Sequence, residues 1–253
     1  MRVGSPFRFP SLRYRKNTNG IGGAKLSKSE LSTLRNLQRV WLETALRVIN
    51  VSESPSSPFV LGVTSASRGE GKTVNCLGLA SALARESGER VLIVECELGN
   101  SGLASKFDLE TNPGLVDVVD NGSSIEGAVR KTAVENLDIA VIGGDEDKDD
   151  FLEMWSHSAS SKFRRRLPSM LANLKEYYGY IVLDLPPMLT NAYTREMLKS
   201  TDGVFLTVKA GVTPIDDMIQ ASQYIGTEKM MGIILGDAAS AMPRWVQRVL
   251  HEV

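Results

Sequence analysis

The chain is predicted to fold as a three-layer α/β/α domain around a mostly parallel central sheet. Three observations carry this. Short apolar runs alternate with helical stripes along residues 59–235, the pattern of successive β–α–β units with right-handed crossovers. One of those runs, Val91–Glu95 (VLIVE), is apolar until its closing acid, as suits a strand covered on both faces. The first run, Phe59–Ser65, passes directly into a Gly-rich turn and then into a helix.

Composition sets the bounds. At 253 residues, 42% hydrophobic and 23% charged, the chain is long enough for one large core. The formal net charge of −1 hides an asymmetry. Residues 1–39 carry Arg2, Arg8, Arg13, Arg15, Lys16, Lys25, Lys28, Arg35 and Arg39 against a single acid, Glu30. A basic arm on an acidic body suits an anionic surface or an acidic partner, and equally a solvated tail. Cys76 and Cys96 are the two cysteines, too few for a disulfide framework or a thiolate metal site, and they fit a reducing compartment. No apolar run approaches the ~18 residues of a membrane span, and the N-terminus lacks the apolar core of a secretory signal. A cytoplasmic protein is expected, with no nucleic-acid partner.

Residues 1–26, with Gly4, Pro6, Pro10, Gly20, Gly22 and Gly23 and no sustained period, read as an irregular basic arm. Residues 27–58 read as a helix and a linker. Ser27 and Glu30 form a capping-box pair, and Leu31, Leu34, Leu37, Trp41, Ala45 and Val48 recur at helical spacing. That stripe is expected to pack on its own domain, with a subunit contact through Trp41 as the alternative. SESPSSP at 52–58 is the breaker-rich linker.

Residues 59–253 read as the main domain. After strand Phe59–Ser65 a helix is expected over about 72–86, closed by Gly88. Strand Val91–Glu95 follows. Gly114–Val119 and Ile125–Arg130 read as two short helices around Asn121-Gly122, and Leu137–Ile142 as a strand. The acidic loop at 143–150 (GGDEDKDD) lacks EF-hand spacing and reads as solvated. Basic residues 162–166 lead into a helix over about 167–178. Strand Tyr180–Asp184 ends at Pro186-Pro187. A helix near Thr194–Lys199, strand Gly203–Lys209, helix Ile215–Ile225 and strand Met231–Leu235 come next. A last helix is expected from Pro243, with Trp245 and Val249 on one face.

The turn after the first strand fits the phosphate-loop pattern, with Ala66 in place of the first Gly and then Ser67, Arg68, Gly69, Glu70, Gly71, Lys72 and Thr73. Successive N–H groups in such a turn form an anion nest. The following helix adds the positive end of its dipole through Lys72, Thr73 and Val74. Lys72 is expected to reach the outer phosphates and the Thr73 hydroxyl to ligate Mg²⁺. Ser67 to Val74 are therefore the expected nucleotide contacts, and the domain is expected to be a three-layer P-loop NTPase. Hydrolysis or transfer needs more: an acid for the metal shell and a group to position the nucleophile. Asp184, at the carboxyl end of YIVLD, stands where open α/β sheets place their ligands and is the candidate metal acid. Glu95 and Glu97, at the end of VLIVE, are the candidates for orienting water or accepting a proton. Lys72, Glu95, Glu97 and Asp184 are thus the candidate catalytic set.

The order of these motifs resembles the bacterial tyrosine kinases of capsule and exopolysaccharide assembly, a branch of the MinD/ParA-type phosphate-loop ATPases. The likeness rests on Gly69-Glu70-Gly71-Lys72-Thr73, the paired acids after VLIVE, Asp184-Leu185-Pro186-Pro187, Gly114–Val119 and Val208-Lys209-Ala210-Gly211. It covers about residues 58–240. It implies an ATP and Mg²⁺ site and a membrane chain-length or export protein as partner. It also implies a place at the inner face of the membrane through that partner, with a homo-oligomer as a further option.

Several residues depart from the family's pattern. Its paired aspartates and following arginine are Glu95, Glu97 and Gly99 here. Its late-strand Asn near the adenine is Gly236, followed by Asp237. The C-terminus has no tyrosine cluster: the six tyrosines are Tyr14, Tyr177, Tyr178, Tyr180, Tyr193 and Tyr224. These departures keep a second reading open, a nucleotide-binding regulatory or scaffold subunit with little turnover. A third is a MinD/ParA-type positioning ATPase, although the lysine that begins those loops is Ser67 here.

Overall fold

The computed structural model describes residues 28–52, 57–97, 103, 109–121, 124–143 and 160–236. The basic arm, Ser27, most of the linker, Gly99, the acidic stretch at 144–150, Asp237 and the helix expected from Pro243 lie outside the described residues. The elements in chain order are α1 (Lys28–Val51), β1 (Phe59–Ser65), α2 (Lys72–Ser87), β2 (Val91–Glu95), α3 (Leu115–Asn121), β3 (Val129–Lys131), β4 (Leu137–Ala140), α4 (Ser160–Leu174), β5 (Tyr180–Asp184), α5 (Tyr193–Met197), β6 (Gly203–Lys209), α6 (Ile215–Ile225) and β7 (Met230–Gly236). Short 3₁₀ turns at Ile125–Ala128 and Leu198–Ser200 complete them.

The strands form a seven-stranded sheet in the order β3-β4-β2-β5-β1-β6-β7. Every pairing is parallel except β3 with β4. Alternation along the strands builds two cores. Val60, Leu92, Val94, Ile181, Leu183, Val204 and Leu206 point to one face, where α3, α4, α5 and α6 pack. Leu61, Val63, Val91, Ile93, Tyr180, Val182 and Phe205 point to the other, where α1 and α2 pack. The period of two thus turns near-continuous apolar strands into the middle layer of three.

Where its side chains are described, the helical stripe of α1 buries against its own domain. Trp41, Ala45 and Val48 are buried in the α2-side core. The Trp41 indole N–H donates to Asn75 Oδ1 at 3.0 Å. A Cβ at Gly78 would overlap the Trp41 ring, so only glycine lets the indole lie flat on α2. Cys76 and Cys96 are free and buried, one in each core. Burial pushes both thiols well above the usual range, which leaves them neutral and inert.

Two expectations needed correction. Val129 and Arg130 belong to a strand rather than a helix: Val129 pairs with Ala140 and Lys131 with Asp138. The Arg130 guanidinium then reaches the carbonyls of Glu110 and Pro113 at 3.0 and 2.8 Å, tying this edge to the 110–114 segment. The helix expected from Leu167 begins at Ser160 and runs through Pro168 to Leu174. Proline forfeits one bond to the preceding turn, but Phe163, Leu167, Met170, Leu171 and Leu174 share the buried face on both sides of it.

At the edge of the sheet opposite the phosphate turn lies a buried charge cluster. Asp138 Oδ2 accepts from Arg90 at 2.9 Å, Lys131 at 2.7 Å and the Tyr178 hydroxyl at 2.8 Å. Arg90 also stacks 4.5 Å from the Tyr178 ring centroid. These contacts link the start of β2 and of β5 to the β3–β4 edge.

Candidate functional site

The sheet order explains how distant motifs meet. β5 lies between β1 and β2, with Val63 opposite Asp184 and Asp184 opposite Glu95. The carboxyl ends of the three strands therefore open side by side at the start of α2, the crevice where such sheets bind ligands.

The turn itself is shaped by two residues with positive φ, Gly69 at 80° and Gly71 at 84°. An L side chain would be strained in both. Gly71 passes the chain into α2 without a side-chain cap. The first-turn N–H groups of a helix have no intrahelical acceptor, and here they belong to Lys72, Thr73 and Val74. Below the turn, the segment after Asp184 acts as a strap. Met188 and Leu189 donate to the carbonyls of Ser65 and Ala66 at 2.8 and 3.2 Å, and Thr64 donates to the Pro186 carbonyl at 2.7 Å. Pro186 and Pro187 offer no N–H of their own, so the carbonyl of Pro186 is the group that anchors this end.

The predicted residues do not all play one part. Lys72 is buried and donates to the Glu97 carboxylate. Burial alone would lower its pKa, but attraction to Asp184 and Glu97 outweighs that and holds it above the ordinary lysine value. It therefore stays cationic at neutral pH. Arg68 approaches the same carboxylate, with Nε 3.8 Å from Glu97 Oε1. Asp184 is 2% exposed at the end of β5. Thr73 stands half-buried at the head of α2.

Glu95 is held by backbone N–H groups. Its Oε1 accepts from the Leu103 N–H at 2.9 Å and its Oε2 from the Ile142 N–H at 3.1 Å. Both oxygens are engaged by backbone, so Glu95 joins the end of β2 to the chain after β4. Glu70 likewise turns its side chain to bracing. Its Oε2 accepts from the Ser67 N–H at 3.0 Å, and its Oε1 accepts from the Thr213 hydroxyl at 2.6 Å. Thr213 accepts in turn from the Lys209 N–H at 2.8 Å, which ties the turn to the loop before α6.

Two contributors escaped sequence reasoning. Asn75 bridges Trp41 and Thr207, reaching Thr207 Oγ1 at 3.4 Å. A lone Asn among the buried apolar residues of α2 was its signal. Thr213 carried no comparable signal.

The oxygen donors fit Mg²⁺. One hydroxyl, from Thr73, and one carboxylate, from Asp184, would be the protein share of such a shell, with phosphate and water completing it. When bound, the metal would neutralise charge developing on transferred phosphate.

The geometry can be set beside known proteins. A family model for the AAA domain matches residues 60–229. The tyrosine-protein kinase YwqD of Bacillus subtilis (strain 168) is 26% identical over 212 residues, covering 83% of this chain and 84% of YwqD. The succinoglycan biosynthesis transport protein ExoP of Rhizobium meliloti (strain 1021) is 23% identical over 184 residues, covering 71% of this chain but 22% of ExoP. The crystal structure of the VpsO kinase domain superposes with a TM-score of 0.64 at 27% identity, covering 81% of this chain and 97% of that domain. With its phosphate turn and strand-end acids inside the matched region, the chain belongs to the AAA domain family, among relatives named as bacterial tyrosine kinases.

Proposed function

We propose that this chain binds Mg²⁺-ATP at the turn Ser67–Val74 and carries out phosphoryl transfer of the tyrosine-kinase type, or ATP hydrolysis, in exopolysaccharide or capsule assembly. The observation that carries the reading is the convergence of Lys72, Thr73 and Asp184 at the carboxyl ends of adjacent strands β1 and β5. The names of YwqD and ExoP supply the biological setting. Lys72 stabilises the transferring phosphoryl group, Thr73 and Asp184 hold the metal, and Glu97 is the acid near enough to Lys72 to help orient a nucleophile. The partner is a membrane protein of chain-length control or export. Among the described residues no helix is long and apolar enough to cross a membrane.

Incubation with labelled ATP and Mg²⁺ tests the catalytic claim. Lys72→Met is expected to reduce phosphotyrosine formation or phosphate release by about 10²–10³-fold, the scale for losing one preorganised cation or donor at a transferring group. Equal product from the variant and the wild type would refute it.

One observation favours the regulatory-subunit reading: Glu95 is committed to backbone N–H groups and Glu97 to Lys72. On that reading the double change Glu95→Asp, Glu97→Asp raises phosphate release. A wild type that already turns over as fast as the double variant would sink it.

A further inference from the structure

Two buried carboxylates, Glu97 and Asp184, act on Lys72. Glu97 does so by direct hydrogen bond, and the same carboxylate draws Arg68 toward it. Both cations belong to the turn that would receive phosphate. Glu97 therefore already sits where a phosphate oxygen would have to compete. For Lys72 to move to a phosphate, Glu97 would be left buried, at 5% exposure, without its cation. A buried carboxylate stripped of its partner is strongly disfavoured. A divalent ion arriving with the nucleotide changes this balance, because its charge, reached directly or through a bound water, replaces the one that Glu97 gives up.

We propose that Glu97 is an internal stand-in for the nucleotide's phosphate, occupying Lys72 and Arg68 and thereby making nucleotide binding depend on Mg²⁺. The role needs the glutamate's reach: one methylene fewer draws the carboxylate back from Lys72. It rests on the phosphate-loop reading above, and it assigns Glu97 to affinity control whether or not the residue also serves in transfer.

Binding of ADP, which avoids turnover, tests this by titration calorimetry with the full chain, in excess EDTA and again with Mg²⁺. In EDTA, Glu97→Gln is expected to bind ADP about tenfold tighter than wild type, a difference of ~1.4 kcal/mol. With Mg²⁺ the gap should close to within about threefold, or ~0.7 kcal/mol. Glu97→Asp keeps the charge and guards against a folding defect in the amide variant. It should also bind more tightly than wild type in EDTA. Wild-type binding of Mg²⁺-ADP together with variants no tighter than wild type in EDTA overturns the proposal while leaving the phosphate-loop reading intact. Wild type that binds ADP in neither buffer overturns both.

Discussion

Trp41→Ala is expected to destabilise the protein by about 3–5 kcal/mol, the range for emptying a buried aromatic site. The indole fills the space over Gly78 and donates to Asn75. Among the described residues, Ala45 and Val48 are then the buried side chains left on α1. Denaturant unfolding should show a lowered midpoint, and limited proteolysis should cut within α1 well before the rest of the domain. The effect should also reach the site. Asn75 lies one turn beyond Lys72 and touches Thr207 at the end of β6, so a loosened Asn75 should weaken ADP binding while phosphate release at saturating nucleotide stays near that of wild type. A Trp41→Ala protein with an unchanged midpoint would show that α1 adds nothing to the fold.

Asp138→Ala should cost about 3 kcal/mol, the lower end of the range for breaking a buried ion pair by removing one partner. The lower end applies because Arg90 and Lys131 have side chains 35% and 53% exposed and can turn to solvent. Tyr178 cannot, being 3% exposed. Burial first, and then the charge and hydrogen bond of Asp138, raise the pKa of its hydroxyl well above the ordinary tyrosine value. The folded state thus holds a proton that the unfolded state releases near pH ~10. Stability should be full below that pH and fall as pH rises through and above it. In Asp138→Ala this alkaline fall should be shallower, and pairing the change with Tyr178→Phe should recover part of the loss. An Asp138→Ala midpoint equal to wild type would mean that the cluster contributes nothing.

The longer strands were legible because each carries its own signal. VLIVE and YIVLD are apolar, short and bounded, and they run as Val91–Glu95 and Tyr180–Asp184. The phosphate turn was legible because its glycines and lysine are contiguous. What failed was information held elsewhere in the chain. Val129–Lys131 is too short to show a period and becomes a strand only through its partner at 138–140. The basic run at 162–166 reads as leading into the helix rather than as part of it, and the buried face running from Phe163 to Leu174 shows that it belongs to the helix. Glu95 and Glu97 looked equivalent at a spacing of two. Glu95 closes the strand, whereas Glu97 lies beyond it, so one meets the backbone of Leu103 and Ile142 and the other meets Lys72. Glu70 reads only as one of the nucleotide contacts of the turn, because Thr213, the partner that explains its burial, is 143 positions away.

The two thiols have a use that their inertness conceals. Cys76 faces the layer beneath α1 and Cys96 the opposite layer, and neither meets solvent while its layer is closed. They form a natural pair of reporters, one for each side of the sheet. An opening confined to α1 would expose only the first to a thiol reagent, whereas global unfolding would expose both together. The chain thus carries, without any added label, the means to tell local breathing beside the phosphate turn from collapse of the whole domain.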